Sequence, residues 1–133
     1  MRATRAIIHL ERLKTNLLEI RKKIGSKPAI CIPVKADAYG HGAVRVGIAA
    51  IKAGAKFLAV ASVQEGIELR EAGIVAPILL FSLPIPEEVE DVVRYQITPL
   101  VPDVDFARMV GETAARLGET LPVHIKIDTG MGR

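Results

Sequence analysis

From residue 29 onward the chain repeats one unit: a short run of apolar residues, then a stretch whose apolar residues recur every third or fourth position. The runs are Ala29–Val34, Phe57–Ala61, Ile78–Phe81, Ile97–Val101 and Val123–Ile127. Each is too short for a helix and too evenly apolar to alternate between core and water, the pattern of a parallel strand covered on both faces. The intervening stretches carry helix signals. Val44, Ile48 and Ile51 mark one helix face, and Ser62-Val63-Gln64-Glu65 opens the next helix as a capping box that ends at Gly73. Pro86, with Glu87 and Glu88, starts a helix around Val89, Val92 and Val93. Asp103 caps a last helix carrying Phe106, Val110, Ala114 and Leu117, with Gly118 as its stop. Strands and helices that alternate with right-handed crossovers build either a doubly wound sheet or a (β/α)8 barrel. No glycine-rich dinucleotide turn follows the first strand, which weighs against the doubly wound sheet. A barrel needs eight strands and ~250 residues. The 133 residues supply five strands and four intervening helices, so the expected fold is α/β, the N-terminal part of a (β/α)8 TIM-like barrel that is incomplete as given.

Residues 1–28 stand before this repeat. Leu10, Leu13, Leu17, Ile20 and Ile24 predict an amphipathic helix, with Arg21, Lys22 and Lys23 at its negative end and Gly25 as its stop. Ala3 to Ile8 is expected to form a short strand, without an obvious partner in this chain. Residues 29–133 then form the first half of the barrel. Charge excludes some partners: 18 Lys and Arg against 15 Asp and Glu leave a thin basic excess. With two Tyr, three Phe and no Trp, stacking platforms for nucleic acid are absent, so no nucleic acid is expected. No segment reaches the ~20 apolar residues of a membrane span, and the first residues lack a signal-peptide core. A single cysteine, Cys31, forbids an internal disulfide and suits a reducing compartment, hence a cytoplasmic protein with Cys31 as a small buried hydrophobe.

Two segments carry chemistry. Val34-Lys35-Ala36-Asp37-Ala38-Tyr39-Gly40-His41-Gly42 leaves the first strand at the end where barrels build active sites. A lysine there, flanked by small residues, can form a Schiff base with an aldehyde cofactor once desolvation favours its neutral amine. Gly40 and Gly42 permit a tight turn and close approach of backbone amides to an anion. An ordinary strand-end lysine snorkelling to solvent satisfies the same pattern. Lys126-Ile127-Asp128-Thr129-Gly130-Met131-Gly132-Arg133 leaves the fifth strand, across the mouth from the first. The planar fork of Arg133 suits a phenolate or carboxylate, although a turn with surface charges is the plainer reading.

Both segments resemble the signatures of bacterial alanine racemases. Val34 to Gly42 looks like the cofactor-lysine stretch of that family, nine consecutive positions, and Lys126 to Arg133 looks like its second conserved stretch at a fitting distance. The resemblance covers the whole chain. It implies a homodimeric isomerase interconverting L- and D-alanine for peptidoglycan, with the active site shared across the subunit interface. Lys35 would hold pyridoxal 5'-phosphate as a Schiff base and act as one of two acid–base groups. Tyr39 would reach the cofactor phosphate, and Arg133 would contact the cofactor's phenolic oxygen and the substrate carboxylate. Lys126 matches a lysine that many members carry as a carbamate, whose negative charge holds that arginine. The family's second base, a tyrosine, and the arginine facing the pyridine nitrogen belong to downstream polypeptide, so a C-terminal β domain is expected outside this chain and the remainder would be required for activity. A racemase of serine or another amino acid, and a non-catalytic pyridoxal-phosphate-binding barrel, are the rival readings; an amino-acid decarboxylase fits Lys126 to Arg133 less well.

Other residues receive structural readings. Pro33 is expected at the end of its strand or in a bulge, since it cannot donate to a ladder. His9 and His124 have no cysteine or carboxylate at metal-ligand spacing, so no metal is expected. His41 and Tyr95 are read as packing residues.

Overall fold

The first helix, α1 (Leu10–Ile24), buries Leu17 and half-buries Leu10 and Leu13 against α3 (Ala43–Lys52), the right-handed helix between the first two strands. These coordinates are a computed structural model and describe residues 4–132. The apolar face of α1 is narrower than its spacing predicts, because Ile20 and Ile24 stay exposed. The Arg21 guanidinium closes the helix end, donating to the carbonyls of Gly25 at 2.8 Å and Pro28 at 2.6 Å. The expected strand over Ala3–Ile8 does not form: Ala3 lies outside the described residues, and Thr4 to Ile8 take no strand structure. Among the described residues no strand pairs with them to satisfy their amides and carbonyls.

Four strands form one parallel sheet in chain order: β1 (Cys31–Pro33), β2 (Phe57–Val60), β3 (Ile78–Leu80) and β4 (Ile97–Thr98). Ile32, Leu58, Ile78 and Ile97 stand in register across it. An order that never reverses lacks the switch point of a doubly wound sheet and leaves the barrel topology. The run Ile97–Val101, expected as one strand, divides at Pro99, which has no N–H for the ladder. Beyond it β5 (Leu100–Val101) pairs in parallel with β6 (His124–Ile125). The Pro99 carbonyl still accepts from the His124 amide at 3.0 Å, so one stretch of chain hands the sheet from β3 to β6. Pro33 ends β1; Val34 after it still bonds to Ala59, and the missing N–H of Pro33 falls on the edge of β1 that is unpaired among the described residues.

The helices obey their caps. Ser62 Oγ accepts the Glu65 amide at the start of α4 (Val63–Glu71), and Asp103 accepts the Phe106 amide at 2.8 Å at the start of α6 (Val104–Leu117). A 3-10 turn over Pro86–Glu88 leads into α5 (Val89–Arg94). Leu58, Val60, Ile78, Leu80 and Ile97 are fully buried beneath these helices. Gly66 lets α4 lie directly on β4, since a Cβ there would sit 2.5 Å from Ile97 Cδ1. Half-buried Arg70 donates to four carbonyls, those of Ile74, Ala76, Tyr95 and Gln96, at 2.7–2.9 Å. Tyr95 packs against the core, as expected.

Cys31 departs from its reading as a buried hydrophobe. It is exposed, because it alternates with Ile32, which packs on the core, and so lies on the opposite face of β1. Partial burial still pushes its thiol pKa up. The fifth run also shrinks, from Val123–Ile127 to His124–Ile125, with both residues exposed.

Candidate active site

The chain leaves β1 under constraint. Val34 is fully buried and its amide donates to the Ala59 carbonyl at 2.8 Å, which fixes where Lys35 emerges. From there α2 (Lys35–Gly40) turns the wrong way for L-residues: Ala36, Asp37, Ala38 and Tyr39 have φ of 50–57° and ψ of 37–50°. A left-handed helical residue with a side chain costs roughly 1–2 kcal/mol, and non-glycine residues rarely adopt it consecutively. The surroundings hold it in place. The Ala38 amide donates to the Val34 carbonyl at 2.8 Å, and the Gly42 amide to the Asp37 carbonyl at 2.9 Å. The Asp37 carboxylate accepts the Ala43 amide at 2.7 Å, and His41 Nδ1 donates to the Ala38 carbonyl at 2.8 Å. The Glu65 carboxylate reaches across from α4 to accept the Ala36 amide at 2.7 Å. Strain of this kind, fixed by its neighbours, is characteristic of functional sites.

Lys35 and Lys126 line one cavity of about 460 Å³. Its other walls are Ala61 after β2, Phe81, Ser82 and Leu83 after β3, and Leu100 in β5. All of these stand at or near the carboxyl ends of parallel strands, where barrel sites are built. Lys126 is held there by its amide, which donates to the Val101 carbonyl at 2.9 Å. Beyond it Asp128 folds the chain back, its Oδ1 accepting the amides of Gly130 at 2.9 Å and Gly132 at 3.2 Å. These backbone donors hold its carboxyl below the usual range.

The structure therefore brings together two of the four residues singled out in the sequence. Tyr39 ends the left-handed run 60% exposed and does not line the cavity. Arg133 lies outside the described residues. His41 faces a separate crevice with Ile8 and Arg45, and His124 packs edge-on to Phe57 with ring centroids 6.4 Å apart. Among the described residues no three His, Cys, Asp or Glu side chains converge as a metal site, and no helix is long and apolar enough to cross a membrane. Sequence reasoning missed Phe81, Ser82, Leu83 and Leu100 as cavity walls; their only signal was position at a strand end. It also missed the reach of Glu65, which reads locally as a helix cap.

A parallel sheet wound in chain order, with two amines at its carboxyl-end mouth, defines part of a β/α barrel carrying a polar site in the barrel mouth. The chain belongs to the alanine racemase family, matching the model described as alanine racemase, N-terminal domain, over residues 8–133. It is 57% identical to the alanine racemase of Treponema denticola over the whole chain, which corresponds to 35% of that relative. The solved alanine racemase of Clostridium difficile 630 superposes with a TM-score of 0.85 at 43% identity, over 92% of this chain and 31% of that one. A histidine racemase from Leuconostoc mesenteroides subsp. sake superposes at 0.82 and 27% identity, over 93% of this chain and 33% of that one. The chain thus spans about a third of the length of the relatives it matches.

Proposed function

We propose that these residues form the cofactor-binding part of a pyridoxal-phosphate-dependent racemase that interconverts L- and D-alanine. One observation carries the reading: Lys35 and Lys126 share a single cavity at the strand ends, directly beside the strained left-handed turn. The donor set fits the cofactor. A primary amine faces a cavity with apolar walls and a hydroxyl at Ser82, which suits an aldehyde on a flat aromatic ring. When bound, the cofactor supplies the electron sink that lets an amino acid lose its α-proton.

The chain's own residues divide the remaining work. Lys35 would hold the cofactor and would carry a proton to and from one face of the substrate's α-carbon. Lys126, as a carbamate, orients Arg133, whose paired donors take the substrate carboxylate and the phenolic oxygen. Tyr39, although it does not line the cavity, would take the phosphate. The opposite face of the α-carbon needs a second group, which we assign to a tyrosine of a C-terminal β domain entering from a partner subunit. We read the whole protein as a cytoplasmic homodimer that supplies D-alanine for the cell wall. The likeness to a histidine racemase supports a second reading, racemisation of a larger amino acid on the same scaffold.

The test is direct. Borohydride reduction of the full-length protein with pyridoxal phosphate, followed by peptide mapping, should label Lys35. A label on Lys27, Lys52 or Lys126 would overturn the assignment. Racemisation of alanine, serine and histidine by the same preparation ranks the substrates, and no turnover of any of them would favour a cofactor carrier without catalysis.

A further inference from the structure

We propose that Glu65 is the positioning residue of Lys35, a role that rests on the cofactor assignment above. By sequence Glu65 is the second half of a capping box, in which glutamine serves as well as glutamate because one acceptor oxygen is enough. The geometry demands more. Oε2 accepts the amides of Ala61 at 2.7 Å and Ser62 at 3.3 Å, while Oε1 accepts the amide of Ala36 at 2.7 Å. Both oxygens of one half-buried carboxylate are thus engaged by three donors from two segments. A carboxylate can do this because it only accepts; a carboxamide has one acceptor oxygen and would turn an NH2 group against an N–H.

The two segments are the walls of the cavity. Ala61 lines it, and Ala36 is the residue after Lys35 and the first of the left-handed run. As the first residue of that run Ala36 has no helical partner for its amide, so an acceptor outside the turn steadies a conformation that L-residues disfavour. Glu65 therefore ties the end of β2 to the backbone beside Lys35. Without the Ala36 bond the turn relaxes in part of the population, and apparent cofactor affinity falls by the fraction left competent. Ala36 is open to solvent, so water replaces some of the loss.

The experiment compares Glu65→Gln with Ser62→Ala in the full-length protein, by pyridoxal phosphate titration, the visible circular dichroism of the bound cofactor, and thermal melting. Glu65→Gln keeps the helix cap and should melt close to the parent, yet bind cofactor about fivefold more weakly with a changed dichroic band. Ser62→Ala removes the opposite half of the cap, so it should melt lower while retaining the parent's affinity and band. Should Glu65→Gln not fold, Glu65→Asp keeps the charge one methylene short and should show the same weakened binding. Parent-like affinity and band in the Glu65 variant overturns the proposal, as does a loss of affinity that merely tracks melting temperature in both variants. A parent protein that binds no cofactor removes the functional reading itself, a result distinguishable from either.

Discussion

Asp128 ties the segment after β6 to itself, and its ionisation should matter only in acid. Its carboxyl is held low by the amides of Gly130 and Gly132, so the folded value lies below the unfolded one. A depressed acid contributes order above its unfolded value, near pH 4 for aspartate, and loses it as pH falls through the lower folded value. The expected outcome is that the Gly130 and Gly132 amide resonances hold still from neutrality down to about pH 4 and move together below it. Movement centred near neutrality would contradict this geometry. The group is fully exposed, and the effect is local order rather than global stability. At this same scale the place of Lys35 was legible in the sequence, because a strand end in a parallel sheet is a place that can be counted to, whereas Lys126 stood out only through the family resemblance. The conformation around Tyr39 was not legible: nothing in Ala36-Asp37-Ala38-Tyr39 announces a left-handed turn.

Among the elements, Arg70 illustrates how one side chain can serve several loops. Its four carbonyl partners belong to the segment before β3 and the segment before β4. Arg70→Ala should destabilise the full-length protein by about 3 kcal/mol in denaturant unfolding, since part-buried carbonyls lose a charged donor. Arg70→Lys should recover little of that, because an ammonium cannot reproduce a planar fork across two loops. A loss below ~1 kcal/mol for the alanine variant would show that water replaces the bonds. Helices and strands themselves were readable because apolar period and caps coincide, as at Ser62 and Asp103. The failures have different causes. Ile97–Val101 divides at Pro99, a local signal, and pairing then passes from β3 to β6, which local pattern does not contain. Cys31 is exposed on the face of β1 opposite Ile32, and what covers that face depends on neighbours distant in sequence.

Taken whole, the described residues expose what a closed barrel would cover. β1 and β6 each present an unpaired edge among the described residues, and Ile125, Ile127 and Met131 are 76–82% exposed. The edges are short, but exposed apolar side chains beside an unpaired edge recruit other chains. Residues 1–133 expressed alone should therefore associate on size-exclusion chromatography and show no alanine racemisation with added pyridoxal phosphate. A monomeric, cooperatively unfolding fragment that racemises alanine would sink our account of the site.

The left-handed turn has a further consequence. Its dihedrals at Ala36 and Ala38 are those a D-residue prefers, so in a protein assembled by chemical synthesis the mirror-image amino acid would be the relaxed choice there. At Ala36, exposed to solvent, D-alanine would fit with less strain than the natural residue. At Ala38, 4% exposed, the relocated methyl would meet packed neighbours and the gain would be lost. The backbone beside Lys35 thus already takes the conformation that suits one of the two enantiomers the proposed reaction interconverts.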